Sequence, residues 1–179
     1  MDSRSIAVVT VLTLLATAAH GKERRPVNPA IDMPGYLRVA RDAAVHRESR
    51  RLSEEDFLRL SQEPGTIVLD ARSKEKYDEL HVRGALNLAF SDIAISSLQR
   101  AIPDRTTRVL IYCNNNFKNA ESPFPTKMAS ASLNLSTFVA LYTYGYRNVY
   151  ELGPLVDLKD SKLPFESSAR AGTPADGGG

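Results

Sequence analysis

Cys113 is the single cysteine of the 179-residue chain, and it directly follows an apolar run that is typical of a buried strand. Active sites of open parallel sheets form just beyond the carboxyl ends of the strands. At that place, backbone N–H groups and the positive end of the following helix favour the thiolate, which is the nucleophilic form of the side chain. The position therefore predicts a nucleophilic cysteine. The alternative is a buried and inert cysteine at a strand end.

The segment after this cysteine supplies the candidate substrate-binding residues, which are Asn114, Asn115, Asn116, Phe117, Lys118 and Lys127. The asparagines offer uncharged amide donors, and their alternative role is that of ordinary turn residues. The lysines offer mobile point charges to a substrate, without the planar fork of an arginine. The phenylalanine either closes the binding site or pins the loop to the core.

Strand and helix patterns alternate along the chain, which predicts a parallel sheet with helices on both faces. The predicted strands cover residues 66–69, 84–88, 108–112 and 147–152. The predicted helices cover residues 35–47, 54–63, 73–80, 91–102 and 128–144. In the fourth helix, Ile93, Ile95, Leu98 and Ile102 are expected to be buried. Two side chains at a strand end, Asp70 and Arg72, are expected to support the neighbouring loop through hydrogen bonds and an ion pair.

Residues 6–19 carry no charged side chain. As a helix these fourteen residues would reach about 21 Å, short of the roughly 30 Å bilayer core. We therefore predict a signal peptide over residues 1–21 and a periplasmic or secreted mature chain without stable membrane insertion; an uncleaved anchor is the alternative. Residues 22–49 are predicted to hold a linker and an N-terminal helix, and residues 159–179 a disordered tail.

Composition limits the classes of partner and cofactor. The chain has a net charge of +2 and mixes acidic with basic residues, so we expect no nucleic acid as a partner. One cysteine and three scattered histidines provide little material for a metal centre, and no phosphate-binding glycine loop occurs. We therefore expect no metal and no organic cofactor.

Four sequence blocks resemble the rhodanese-like domain family: VLDAR at 68–72, HVRGALN at 81–87, IYC at 111–113 and YGYRNVYELG at 144–153. The resemblance places the domain at residues 50–158. It implies a five-stranded parallel sheet and, in active members, transfer of a sulfur atom through a persulfide on the cysteine. The implied partners are a small sulfane-sulfur donor and a thiol acceptor.

The loop after the cysteine departs from the pattern of compact members of this family. It is longer, and Lys118 stands where active sulfurtransferases often have an arginine. Phosphatases with this fold need an arginine six residues after the cysteine, whereas this chain has Asn119. The sequence therefore predicts an exported sulfurtransferase or persulfide carrier that acts through Cys113. The alternatives are an inactive protein-binding module and a periplasmic thiol redox sensor.

Overall fold

The computed structural model describes residues 28–168. Residues 28–32 form a short turn in which the Ala30 N–H donates to Asn28 Oδ1. Described residues from Met33 onward fold around one main sheet. The predicted signal peptide, residues 22–27 of the predicted linker and residues 169–179 of the predicted tail lie outside the described residues. Within 28–168, no helix has the length and apolar character required to cross a bilayer.

The described residues form nine strands, which make one main sheet and two smaller pairs. The strands are β1 (Arg51–Leu52), β2 (Thr66–Asp70), β3 (His81–Val82), β4 (Leu86–Asn87), β5 (Arg108–Tyr112), β6 (Phe117–Lys118), β7 (Val149–Leu152), β8 (Val156–Asp157) and β9 (Phe165–Glu166). The main sheet has five parallel strands in the spatial order β1-β7-β5-β2-β4, which confirms the predicted five-stranded parallel sheet. Strands β3 and β9 form an antiparallel pair, and β6 and β8 form a parallel pair.

Helices cover both faces of the sheet, as predicted. The helices are α1 (Met33–Arg47), α2 (Glu54–Ser61), α3 (Lys74–Glu79), α4 (Ile95–Ala101) and α5 (Leu133–Thr143). Side chains alternate along β5, so Val109 and Ile111 pack with residues of α1, α4 and α5, while Leu110 and Tyr112 pack with α2 on the opposite face. Both layers of the core therefore meet on the strand that leads to Cys113.

Two helices begin later than the sequence pattern indicates. Helix α5 starts at Leu133, because Ser132 is extended (φ −58°, ψ 130°) and separates it from a 3₁₀ turn at Ala129–Ala131. Helix α4 starts at Ile95, because Ala94 is extended (φ −145°, ψ 169°). The expected burial of Ile95 is wrong: its side chain is exposed, whereas Leu98, one turn further on, is fully buried.

A buried polar network fixes the carboxyl ends of β2 and β5. The Arg72 guanidinium donates to both carboxylate oxygens of Asp70, and the Tyr112 hydroxyl donates to Asp70 Oδ2 over 2.5 Å. Burial, followed by the neighbouring Asp70 carboxylate, raises the pKa of Tyr112 well above its usual value, so its O–H stays a donor. Arg72 also donates to the carbonyls of Leu80 and Pro123. The network therefore ties the loop after Cys113 to the sheet edge.

The folded region continues past residue 158, the predicted end of the domain. Leu163 is buried, and β9 pairs with β3. In the same region the Gly84 N–H donates to Glu166 Oε1 over 2.9 Å, and Arg83 and His81 also face this carboxylate. Part of the segment that the sequence assigned to a disordered tail is therefore a strand held by backbone and side-chain contacts.

Removing one member of the buried Asp70–Arg72 pair should destabilise the fold. We expect Arg72→Met to lower the free energy of unfolding by about 3–5 kcal/mol, because it leaves Asp70 buried without its counter-ion. Urea denaturation measures the change. The control is Arg59→Met, which removes an arginine from exposed pairs with Asp56 and Glu63 and should cost less than about 1 kcal/mol. Equal losses in the two variants would contradict a dominant role for the buried pair.

The Glu166 contacts should make the attachment of β9 sensitive to acid. The Gly84 N–H, then His81 and Arg83, lower the pKa of Glu166, so its stabilising effect is present above the ordinary glutamate pKa of about 4.3 and is lost as the pH falls through the lower folded value. We expect wild type to be more stable than Glu166→Gln at pH 7. This difference in stability should shrink below about pH 4. Thermal unfolding at several pH values measures it; a difference independent of pH would disprove the assignment.

Candidate functional site

Cys113 lies at the carboxyl end of β5, as predicted. Its backbone is extended (φ −149°, ψ −174°), so the alternation of β5 continues and its side chain points to the same face as Ile111. That face carries α1, α4 and α5. The residue is 1% exposed, and it lines a cavity of about 270 Å³ together with residues of α1, α5 and β7.

The polar neighbour of the cysteine sulfur is Ser132, whose hydroxyl oxygen lies 3.4 Å from Sγ. Ser132 directly precedes α5, where a serine normally caps the helix with its hydroxyl; here the hydroxyl makes no capping bond. The contact that the structure describes for the sulfur is thus with a hydroxyl at the start of α5. The expectation that backbone N–H groups surround the sulfur stays a prediction.

The side chain of Asn116 holds Cys113 in position through hydrogen bonds. Its side-chain oxygen accepts from the Cys113 N–H over 2.9 Å and from Asn134 Nδ2 over 3.1 Å. Its amide nitrogen donates to the carbonyls of Leu152 and Pro154. One buried side chain thus joins the end of β5, the first turn of α5 and the end of β7. Asn116 also lines the cavity, but its amide is already committed to these partners.

The side chains of Asn114 and Asn115 join the beginning of the loop after Cys113 to its end. Asn114 Nδ2 donates to the carbonyl of Pro125, and Asn115 exchanges two hydrogen bonds with the backbone of Lys127. These contacts bring the far end of the loop back to the cysteine, so that α5 can begin beside it. Asn115 also lines the cavity that contains Cys113, so the predicted contacts of Asn114 and Asn115 with a substrate stay predictions.

The remaining predicted binding residues lie apart from the sulfur. Phe117 is 1% exposed and packs against Phe124 and Phe165 in the core. Lys118 is mostly exposed, with its Nζ 3.8 Å from Asp157 Oδ2. Lys127 lines a second cavity, of about 310 Å³, to which Arg72 and Asn114 also contribute. The structure therefore does not bring either lysine into the cavity that contains Cys113.

Glu151 is a residue of the site that the sequence analysis missed. It pairs in register with Ile111 of β5, so it lies on the cysteine face of the sheet, and it is 1% exposed. Its Oε1 forms an ion pair with the Arg47 guanidinium of α1. Burial raises the pKa of Glu151, although Arg47 opposes the shift. The sequence did contain a signal for this residue, which is an acidic side chain inside an otherwise apolar strand. A charged side chain is rarely buried without a partner, so such a position points to a second charged group nearby.

Three polar atoms of the cavity-lining residues are buried without a hydrogen-bond partner: Glu151 Oε2, Asn134 Oδ1 and Arg47 Nε. Asn134, in the first turn of α5, has its amide nitrogen bonded to Asn116, which leaves its oxygen as the unpaired atom. Such groups are rare in native proteins. Within the described range, no cluster of three His, Cys, Asp or Glu side chains could hold a metal ion. Cys113 therefore lies near a buried ion pair and a buried amide whose hydrogen bonds are incomplete.

Comparisons with known proteins find a family model and several solved structures to which this chain is similar. The family model for the Rhodanese-like domain matches residues 53–152. Among solved structures, a rhodanese with anions from E. coli is 25% identical with a TM-score of 0.40, over 57% of this chain and 98% of its own. The BH2092 protein from Bacillus halodurans is 20% identical with a TM-score of 0.48, over 74% of this chain and 87% of its own. A thiosulfate sulfurtransferase from Pseudomonas aeruginosa is 16% identical with a TM-score of 0.46, over 73% of this chain and 23% of its own.

A search of curated protein sequences gave no match. The family match itself covers more than half of the chain, from Ser53, which caps α2, to the last residue of β7. It contains β2, β5, Cys113 and Glu151, while α1 and its Arg47 lie before it. The chain belongs to the rhodanese-like domain family.

Proposed function

We propose that the protein is a sulfurtransferase or persulfide carrier in which Cys113 holds the transferred sulfur. The observation that supports this most directly is the position of the sulfur: it faces a cavity, at the carboxyl edge of the sheet, with a hydroxyl as its polar neighbour. An inert cysteine would be expected among apolar side chains, with no space beside it. A cavity of this size leaves room for one additional sulfur atom and for a small substrate.

The proposed reaction begins with attack of the Cys113 thiolate on the terminal sulfur of a donor that contains a sulfur–sulfur bond. A new sulfur–sulfur bond forms on Cys113, the bond in the donor breaks, and its electron pair leaves with the donor as a thiolate. A thiolate acceptor then attacks the outer sulfur of the Cys113 persulfide, and Cys113 becomes a thiolate again. The proton released by Cys113 is taken up by the leaving thiolate, so the exchange requires no oxidant, reductant or metal.

Ser132 has a defined role in this proposal. Its hydroxyl can donate to the sulfur when Cys113 is a thiolate, both before the attack and after the sulfur has been passed on. Because the hydroxyl does not cap α5, its removal should affect the sulfur more than the helix.

Export of the mature chain remains a prediction from the sequence of residues 1–21 and forms part of the same proposal.

Cys113 should carry the transferred sulfur as a persulfide. Purified protein treated with inorganic tetrasulfide should gain the mass of one sulfur atom, and added thiol should remove it. Because the chain has a single cysteine, mass spectrometry assigns the adduct to Cys113, and Cys113→Ser should not gain it. Absence of the adduct from wild type would disprove the proposal and favour a protein-binding module. A disulfide-linked dimer under mild oxidation, without a stable persulfide, would favour a redox sensor instead.

Removing the Ser132 hydroxyl should affect the reaction more than removing the charge of Lys118, which the sequence placed in the site. We expect Ser132→Ala to slow persulfide formation about tenfold, because a hydrogen bond to a charged group is worth at least about 1.5 kcal/mol. Lys118→Ala should leave the rate within about twofold of wild type, because its charge lies next to Asp157, away from the sulfur.

Stopped-flow measurement of persulfide formation compares these variants. Ser136→Ala is the matched control for Ser132→Ala: it removes a hydroxyl from α5 at a position that does not line the cavity. A slow Lys118→Ala together with a normal Ser132→Ala would reverse the assignment of the two residues.

A further inference from the structure

A buried carboxylate, that of Glu151, lies on the sheet face that carries Cys113. Glu151 is in register with Ile111, and Cys113 follows Ile111 by two residues in extended backbone, so both side chains point to the same face of neighbouring strands. The spacing of strands and the rise along them place the Cα atoms of Cys113 and Glu151 roughly 8 Å apart. A charge on one side chain therefore acts on the other.

The ion pair between Glu151 and Arg47 determines how strong this effect is. A carboxylate without a counter-ion opposes a second negative charge nearby, so it would disfavour the thiolate of Cys113. Glu151 is 1% exposed, and water therefore screens its charge only weakly. The Arg47 guanidinium of α1 binds Glu151 Oε1, and both residues line the cavity that contains the sulfur. With the pair intact, the two charges largely offset each other beside Cys113.

Few other charges act on this part of the sheet. Among the described residues that line the cavity, Cys113, Arg47 and Glu151 are the ionisable ones. Burial raises the pKa of Glu151, while Arg47 and then Arg51, an exposed residue in register with Glu151 on β1, lower it. The other charged or histidine side chains of α1, α4 and α5 do not line the cavity: Arg38, Arg41, Asp42, His46 and Arg100. The balance of charge beside the sulfur thus depends mainly on one ion pair.

Resting on the function proposed above, we infer that Arg47 is a positioning residue for sulfur transfer, which acts through Glu151: by neutralising this carboxylate, it allows Cys113 to carry a negative charge. Cys113 attacks as a thiolate in the first step of the proposed reaction and leaves as a thiolate in the second, so both steps place negative charge beside Glu151. Arg47 belongs to α1, before the residues of the family match. The N-terminal helix is therefore a functional part of the site.

Alkylation of Cys113 by iodoacetamide, followed by mass spectrometry over a range of pH, tests the inference without requiring sulfur transfer. The alkylation rate follows the thiolate fraction, so the pH of half-maximal rate reports the charge around the sulfur. We expect Glu151→Gln to move this midpoint down and Arg47→Gln to move it up, each by about one pH unit, as for unit charges roughly 8 Å apart in a partly screened site. Unchanged midpoints in both variants would overturn the inference.

The direction of the shifts separates an effect of charge from structural damage. If the ion pair only held α1 in place, both single variants would expose Cys113 and raise its alkylation rate at every pH, without moving the midpoint in opposite directions. The double variant Arg47→Gln/Glu151→Gln leaves neither charge unbalanced, so its midpoint should return close to the wild-type value. Arg47→Lys keeps the charge and should also stay close to wild type. The matched control is Arg41→Gln, which removes an exposed charge of α1 that does not line the cavity and should not move the midpoint.

Loading with tetrasulfide at pH 7 then distinguishes this inference from the proposed function. Arg47→Gln should form the persulfide about threefold more slowly than wild type, because its thiolate is about tenfold scarcer but more nucleophilic. If Arg47→Gln folds poorly, Glu151→Gln decides, since it removes a buried charge and leaves an arginine whose side chain is 28% exposed. Shifted midpoints without a persulfide on any variant would contradict the proposed function alone. Normal persulfide formation with unshifted midpoints would contradict the inference alone.

Discussion

The hydrogen bond between the Tyr112 hydroxyl and Asp70 is the contact on which the position of the site depends. It joins the last residues of β2 and β5, and Arg72 completes the buried network by binding Asp70 and the Pro123 carbonyl. Charges buried in this way are stable only when their geometry is nearly fully satisfied. Because the residue after Tyr112 is the cysteine, this rigidity is transmitted directly to the backbone that carries the sulfur.

The long loop after the cysteine changes how the family fold reaches its site. A helix that starts immediately after the cysteine would offer its own N–H groups to the sulfur. Here almost twenty residues separate Cys113 from α5. Asn114 and Asn115 bond to the far end of this loop, and Ser132 lies beside Cys113 as a result. Asn116 then locks the start of α5 to the end of β7. In this chain, the hydroxyl that precedes α5 is a polar neighbour of the sulfur.

The sheet, its flanking helices and the place of Cys113 were predictable because they depend on local patterns: apolar runs, alternation and breaker residues. Strand β1 was not recognised individually, since two residues, Arg51 and Leu52, carry no pattern of their own. The late start of α5 escaped detection because helix-forming residues at 128–132 adopt a turn imposed by the loop. The side chains of Ser132 and Cys113 are in contact although they lie 19 positions apart in the chain. Contacts of this kind follow from the tertiary structure and cannot be read from local patterns in a single sequence.

Glu151 shows why the chemistry of a site can differ within one fold. A carboxylate in the middle of a buried parallel strand is costly unless another element compensates for its charge. Helix α1 supplies that compensation through Arg47, yet it satisfies only one of the two carboxylate oxygens. The ion pair joins α1, which lies before the residues of the family match, to β7. An element outside the matched residues therefore compensates for the charge on the sheet face that carries Cys113.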